Sequence, residues 1–180
     1  MKYFKKIPGE RVYLSPLNIE DAETYIKWLN DRSVTDGLGD TYLNFNLIIE
    51  KDWLEENLKK GSHIYAIVLN ETDELIGNVG VEDIKPAHGT ATVGIFIGEA
   101  QNRGKGYGTE ALNLLVGYAF GVLNLQNIML MVFEFNQNAV KSYQKVGFKE
   151  FGRRRKAYYL NNQYHDIIFM DITREDWYKK

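Results

Sequence analysis

The residues best placed to do chemistry lie in one short run, Gln101 to Ala111, "QNRGKGYGTEA", in which three alternate glycines and two cations precede an apolar helical pattern. Glycine lets a ligand approach main-chain N–H groups, and the N-terminus of a helix attracts anions. The run therefore suits a nucleoside triphosphate, a dinucleotide or another phosphate-bearing cofactor. A tight turn whose glycines serve backbone geometry alone is the structural alternative.

The spacing of the glycines excludes two of these ligands. A Walker loop needs four residues between its glycine and Gly-Lys, whereas five separate Gly98 from Gly104, and Gly106 follows the lysine. A dinucleotide fingerprint needs G-x-G-x-x-G, whereas Gly104, Gly106 and Gly108 give G-x-G-x-G. We therefore predict that another phosphate-bearing cofactor sits at the start of a helix near Gly108.

The elements around this run alternate between strand and helix periodicity. They predict an α/β (α+β) fold with a mixed, mostly antiparallel sheet of about seven strands, flanked by about four helices, in a single domain over residues 1–180. Predicted strands cover 11–17, 63–69, 75–84, 90–98, 127–133, 149–159 and 164–172. Predicted helices follow Asn18, span about 47–58, begin near 108 and span 138–146, and the segment from Asp31 to Phe45 is predicted to be a loop.

Composition restricts the class of protein. A formal net charge of -2 and the absence of any long apolar run give no reason to expect nucleic acid or a membrane as partner, so a cytoplasmic protein acting on a small molecule is expected. The run Arg153 to Lys156 leaves RNA binding as an alternative, although alternate strand residues face opposite sides. The three histidines lack metal-ligand spacing, so no metal is predicted.

Two motifs carry a resemblance to a known family. "QNRGKGYGTEAL" after "VGIFIG", followed by "FEFNQNAVKSYQKVGF", resembles the acetyl-CoA-binding core of the GNAT superfamily of N-acetyltransferases, over roughly Thr90 to Ile172. The closing "GFKEFGRRRKAYYLNNQYHDIIFMDI" is similar to the branch that contains spermidine acetyltransferases and the acetyltransferases of ribosomal-protein N-termini. The resemblance implies an acyl-CoA N-acyltransferase-like fold with acetyl-CoA as co-substrate.

The resemblance also implies roles for individual residues. The main chain of Phe96, Ile97 and Gly98 would pair with the pantetheine arm like an extra strand, and Asn136 would hydrogen-bond the pantetheine. Tyr143 would stand near the thioester sulfur as the general acid. The pyrophosphate would be wrapped by Arg103, Gly104, Lys105, Gly106, Tyr107, Gly108 and Thr109.

Acyl transfer from a thioester to an amine needs a neutral amine and a protonated leaving thiol. Because the chain has no cysteine and no G-x-S-x-G elbow, direct attack in a ternary complex is expected. Thr92 stands where many members of the family have a glutamate, so the base stays open between Glu82, Glu99 and a chain of waters.

The acceptor is the least determined part of the sequence. The predicted loop from Asp31 to Phe45 and the last hairpin would form its pocket, in which Asp31, Asp36, Asp40 and Glu82 are candidates to bind a cationic substrate. A polyamine such as spermidine, a protein N-terminal amine and an aminoglycoside-like small amine are all open. So are a homo-oligomer and a non-catalytic acyl-CoA-binding module.

Overall fold

Seven strands, numbered β1 to β7 along the chain, form one sheet in the computed structural model, which describes residues 2–179. Their order across the sheet is β1-β2-β3-β4-β5-β7-β6, and every neighbouring pair is antiparallel except β4 and β5, which are parallel. The predicted mixed, mostly antiparallel sheet is confirmed. The strands are Val12–Pro16, His63–Leu69, Leu75–Lys85, Thr90–Ile97, Asn127–Phe133, Lys149–Leu160 and Gln163–Thr173.

The part of the chain that the structure describes contains six α-helices, two more than expected. The four predicted helices are present, and the additional ones are α2, inside the segment predicted to be a loop, and the short C-terminal α6. The prediction of a loop from Asp31 to Phe45 is therefore wrong over Arg32–Leu38. The helices α1 to α6 are Ala22–Leu29, Arg32–Leu38, Leu47–Lys60, Tyr107–Gly121, Gln137–Val146 and Arg174–Tyr178.

Helix α2 forms in spite of residues with low helix propensity. The Asp31 side chain accepts a hydrogen bond from the Ser33 N–H at 2.8 Å, and Gly39 ends the helix in the left-handed region at φ +90°. Val34 and Thr35 are buried although both are β-branched. Tertiary packing and the two caps thus stabilise a helix that periodicity alone does not reveal.

Two apolar cores lie on the two faces of the sheet. Alternate residues of β1 divide between them, with Leu14 in the core that includes α4 and α5, and Tyr13 in the core that includes α1 and α3. The sheet is thereby fixed between helices on both faces, with α2 joining the second group. None of the helices in residues 2–179 has both the length and the apolar character that crossing a membrane requires.

Glu50 on α3 is expected to make folding stability depend on pH. Burial raises the pKa of this carboxyl from 4.5 to about 7. Because the folded-state pKa is the higher one, the associated stability is fully present below about pH 4.5 and is lost as pH rises through about 7. Glu50→Gln should therefore stabilise the protein at pH 8 by up to about 3 kcal/mol and have little effect near pH 4.5.

Chemical denaturation of the parent and Glu50→Gln proteins at both pH values checks this expectation. Glu56→Gln is the matched control, since Glu56 is exposed on the same helix and paired with Lys60. An unchanged difference in stability between parent and Glu50→Gln at the two pH values would contradict the expected titration.

Candidate active site

The sheet opens between its two parallel strands. Strands β4 and β5 pair only from Thr90 to Thr92 on β4 and from Asn127 to Met129 on β5. Beyond Thr92, β4 remains paired with β3 as far as Ile97, whereas its other edge has no strand partner among the residues that the structure describes. The molecule therefore presents an unpaired strand edge in the middle of the sheet, where an extended ligand can add by β-augmentation.

The alternation of strand hydrogen bonds decides which groups face this edge. The Gly98 N–H donates to the Ile76 carbonyl at 2.9 Å, so the main-chain groups of Phe96, two residues earlier, also point toward β3. The groups of Ile95 and Ile97 point toward the opening. Of the three residues predicted to pair with pantetheine, only Ile97 directs its main-chain groups into the opening, as Ile95 also does. The pairing of pantetheine with this edge stays a prediction.

Gly98 and Phe96 have packing roles instead. A Cβ on Gly98 would lie 2.1 Å from the Trp28 ring, so no larger residue fits there without displacing the ring. The Phe96 ring packs edge-on against Trp28, with ring centroids 6.1 Å apart. These two contacts fix α1 against the end of β4 that leads into the glycine-rich turn.

The glycine-rich turn exposes main-chain donors at the start of α4. Gly104 and Gly106 both adopt the left-handed region, at φ +73° and +85°. Gly106 caps α4 without any side-chain hydrogen bond, so the first-turn N–H groups of Tyr107, Gly108 and Thr109 are not capped by a side chain. This geometry fits the pyrophosphate of acetyl-CoA, because helix N-termini bind phosphate through such donors.

The two cations of the turn are placed differently. Lys105 is exposed, and its ammonium forms no ion pair with residues 2–179. The Arg103 guanidinium turns inward and donates from Nε to the Ile97 carbonyl at 3.0 Å and from Nη1 to the Ser33 carbonyl at 2.9 Å. It also donates to the Gly98 carbonyl. Lys105 is thus the cation available to a phosphate.

Arg11, which the sequence did not indicate as a site residue, hydrogen-bonds to the main chain of the glycine-rich turn. Arg11 donates to the Lys105 carbonyl at 3.0 Å, and its guanidinium lies 5.2 Å from the centre of the Tyr107 ring. Glu110 accepts from the Arg11 N–H at 2.7 Å and from Arg11 Nε at 2.8 Å. Burial alone would raise the pKa of Glu110, but these hydrogen bonds outweigh burial and hold the pKa below its ordinary value.

Asn136 immediately precedes α5, and Tyr143 lies within this helix. Asn136 caps this helix, since its Oδ1 accepts from the Ala139 N–H at 3.2 Å, and its amide nitrogen faces Gly37 of α2. Tyr143 is half-buried, and its ring packs edge-on against Phe148. Burial raises the pKa of Tyr143 to about 12, so the hydroxyl is protonated at neutral pH. The contacts of Asn136 and Tyr143 with the cofactor stay predictions.

The three aspartates of the predicted acceptor segment differ in how far their carboxylates already take part in hydrogen bonds and ion pairs. Asp31 caps α2, and the hydrogen bonds from Ser33 lower its pKa. Asp36 pairs with Arg32 and accepts from Thr41 at 2.8 Å. Asp40 is half-buried without an ion pair in residues 2–179, and burial raises its pKa. Asp40 is therefore the carboxylate most available to a cationic ligand.

The two candidate bases also differ. Glu99 accepts from Lys27 at 2.5 Å and from Trp28 at 3.0 Å, and these hydrogen bonds lower its pKa, which makes it a poor base. Glu82 pairs across the strands with Thr92, the last β4 residue before the opening. Glu82 is exposed on the strand, but partial desolvation of its carboxyl, followed by the Asp83 charge, raises the pKa of Glu82. Its position and its pKa both favour Glu82 over Glu99.

An aromatic cluster lies where β5 ends. The Phe133 and Tyr158 rings stack with centroids 4.0 Å apart, and Phe135 contacts both Phe133 and His165. A Cβ on Gly39, the residue before Asp40, would lie 3.0 Å from the Phe133 ring. The alternation in "VFEF" indicates a strand end but does not show that α2 packs against it.

Among residues 2–179, no group of three or more histidine, aspartate or glutamate side chains is arranged to hold a metal ion. The geometry offers instead a strand edge, an uncapped helix N-terminus and a half-buried carboxylate beside aromatic rings. These features fit a protein that binds acyl-CoA and transfers its acyl group.

Comparison with known proteins agrees with this class. Residues 11–149 match the family model described as Acetyltransferase (GNAT) domain, and the chain belongs to that family of acetyl-CoA-dependent N-acetyltransferases. It is 29% identical over 184 residues to Probable N-acetyltransferase YjcK of Bacillus subtilis (strain 168), covering 94% of this chain and 98% of that protein.

Relatives with a named substrate are also similar. The chain is 32% identical over 130 residues to spermidine N(1)-acetyltransferase of Vibrio cholerae, covering 70% of this chain and 75% of that protein. The crystal structure of spermidine N-acetyltransferase from Vibrio cholerae in complex with CoA and spermine superposes with a TM-score of 0.84 at 23% identity, over 94% of this chain and 99% of that one. This superposition shows a shared fold.

Proposed function

We propose that this protein transfers the acetyl group of acetyl-CoA to a primary amine by direct attack in a ternary complex, and that the acceptor is a polyamine such as spermidine. The edge of β4 beyond Thr92, followed after the glycine-rich turn by the uncapped start of α4, is the observation that carries the proposal. A groove of about 490 Å³ opens beside Gly106 between Arg11 and Lys145 and offers space for the nucleotide end of CoA.

The residues suggest how the transfer proceeds. The amine nitrogen attacks the acetyl carbonyl, the new C–N bond forms, and the C–S bond breaks with its electron pair on sulfur. An ammonium of pKa about 10.4 costs roughly 4 to 5 kcal/mol to deprotonate at pH 7, so a proton must leave within the site. Glu82, directly or through water, takes this proton. As the C–S bond breaks, the sulfur takes a proton from Tyr143, and the second proton that the nitrogen loses returns, directly or through water, to the Tyr143 oxygen.

The end of the opening near α2 supports a cationic acceptor. Asp40 provides a half-buried negative charge, and the neighbouring half-buried Tyr158, which stacks on Phe133, is an aromatic ring of the kind that attracts cations. A polyamine carries several ammonium groups, so one can be held by Asp40 while another reacts. A peptide N-terminus or an aminoglycoside-like amine is the alternative acceptor.

An amine panel tests the proposal. Purified protein with acetyl-CoA is given spermidine, spermine, an alanyl peptide or an aminoglycoside, and release of free CoA thiol is followed. We expect the highest kcat/KM with a polyamine. A higher value with the alanyl peptide or the aminoglycoside would overturn the polyamine assignment, and no thiol release with any amine would count against amine acetylation itself.

Asp40→Asn is expected to raise the KM for the best amine about tenfold, with a smaller change in kcat. The reason is that a hydrogen bond to a charged group is worth about 1.5 kcal/mol or more, and 1.4 kcal/mol corresponds to a factor of ten. Asp36→Asn is the control, because Asp36 already pairs with Arg32 and should change KM less than about threefold. Equal effects of the two substitutions on KM would remove Asp40 from the acceptor site.

The assembly state and the cellular location stay predictions. Light scattering of the purified protein would show whether it forms the homo-oligomer that the sequence left open. A cytoplasmic location and the absence of nucleic-acid and membrane partners are expectations from composition alone.

A further inference from the structure

We infer that Arg103 is a positioning residue that holds α2 across the opening between β4 and β5, and that it sets the acceptor site rather than binding phosphate. This inference deepens the proposed function and rests on it for the identity of the acceptor. The Arg103 guanidinium donates hydrogen bonds to three main-chain carbonyls, those of Ile97, Gly98 and Ser33.

These carbonyls come from two elements that no strand pairing joins. Ile97 and Gly98 lie at the end of β4, whereas Ser33 lies in the first turn of α2. Nη1 of Arg103 also lies 3.3 Å from the Ser33 Oγ. A planar guanidinium can reach separated acceptors at once, which a lysine ammonium cannot do with the same geometry. Arg103 therefore fixes the beginning of α2 to one arm of the opening.

The other end of α2 contacts the second arm. Gly37 lies against the Asn136 amide, where a Cβ would be 3.1 Å from the nitrogen, and Gly39 lies against the Phe133 ring. Both partners follow or end β5. Helix α2 thus spans the opening from β4 to β5, with Asp40 immediately after its end. A displacement of its first turn would move this carboxylate relative to the cofactor edge.

Arg103 also limits how a ligand can pair with β4. The Ile97 carbonyl points toward the opening, but it already accepts from Arg103 at 3.0 Å. The Ile95 carbonyl and the N–H groups of Ile95 and Ile97 are then the remaining groups on this edge near the turn. Arg103 thereby directs an added pantetheine chain toward Ile95.

Lys105 provides the matched control, since it is the other cation of the same turn, is exposed and makes no side-chain ion pair with residues 2–179. The test compares Arg103→Ala, Arg103→Lys and Lys105→Ala. Three quantities are measured: the Kd for CoA by calorimetry, the KM and kcat for the best amine, and amide hydrogen exchange of residues 33–38 in the protein without ligand.

For Arg103→Ala, the positioning role predicts at least tenfold faster exchange in α2 and about a tenfold higher amine KM, with a CoA Kd within threefold of the parent. Lys105→Ala should show the reverse, a raised CoA Kd with unchanged exchange in α2. Arg103→Lys keeps the charge and should still leave α2 unprotected. A full rescue by lysine, or a CoA Kd raised in Arg103→Ala as it is in Lys105→Ala, would overturn the inference.

Hydrogen exchange and CoA binding need no acceptor, so they separate this inference from the proposed function. If no amine in the panel is acetylated, the proposed acceptor chemistry fails while the exchange of α2 still tests Arg103. If Arg103→Ala does not fold, the comparison of Arg103→Lys with the parent decides, because protected α2 amides in that variant would contradict the role of the guanidinium.

Discussion

Tyr143→Phe is expected to lower kcat by roughly 10²- to 10⁴-fold, the usual contribution of a positioned general acid. Burial raises the pKa of Tyr143 to about 12, so the hydroxyl carries its proton throughout the neutral range. Transfer to a thiolate of ordinary pKa near 8.5 is uphill, so the hydroxyl acts by donating to the sulfur as its negative charge develops. The measurement is kcat at saturating acetyl-CoA and amine.

The control for this substitution is Tyr25→Phe, which removes another buried tyrosine hydroxyl. The Tyr25 hydroxyl has no hydrogen-bond partner in the described residues, and its ring packs on the opposite face of the sheet from Tyr143. Its loss should change kcat less than about threefold. Turnover of Tyr143→Phe within the same range, with unchanged CoA affinity, would assign Tyr143 to packing and leave water as the proton source.

Gly106→Val is expected to weaken acetyl-CoA binding by roughly 100-fold or more. Gly106 adopts φ +85°, which a β-branched residue rarely accepts, and a side chain there would press on Arg11. The shifted turn would lose main-chain hydrogen bonds to the pyrophosphate, and each hydrogen bond to a charged group is worth about 1.5 to 3 kcal/mol. Calorimetric titration with acetyl-CoA measures the loss.

Gly61→Val separates local backbone strain from loss of the phosphate site. Gly61 also adopts the left-handed region, at φ +62°, and a Cβ there would meet no atom within 4 Å. It ends α3, in a different segment from the glycine-rich turn. The two variants should lose similar thermal stability, but only Gly106→Val should lose cofactor affinity. Unimpaired binding by folded Gly106→Val would place the pyrophosphate elsewhere.

Much of the fold could be predicted because its strands are short apolar runs between clear turns. The limits of β2 and β5 were predicted to the residue, and α3 extends only two residues beyond its predicted end. Helix α2 was missed because Val34, Thr35 and Gly37 are poor helix formers, and only tertiary contacts favour the helix. The Asp31 cap and the terminal Gly39 are local signals that would have indicated it.

For the candidate site, the sequence shows where the residues lie along the chain but not which way their main-chain groups and side chains point. The sequence places Phe96, Ile97 and Gly98 beside the cofactor, but it does not reveal which main-chain groups face the opening, because that depends on the register with β3. Likewise, the charge of Arg103 suggests phosphate, whereas its acceptors lie 70 positions away at Ser33 and at the end of β4. Single-domain organisation over residues 1–180 stays a prediction.

The short pairing between β4 and β5 has a mechanical consequence. In residues 2–179, three pairs of strand partners join the antiparallel meander β1 to β4 to the group formed by β5, β7 and β6. A change in the angle between these two halves beyond Thr92 therefore breaks no ladder hydrogen bond within either half. Beyond Thr92 the strand ladder therefore does not fix the width of the cleft, which depends on the contacts of α2 with both arms and on the apolar core that α4 shares with both halves.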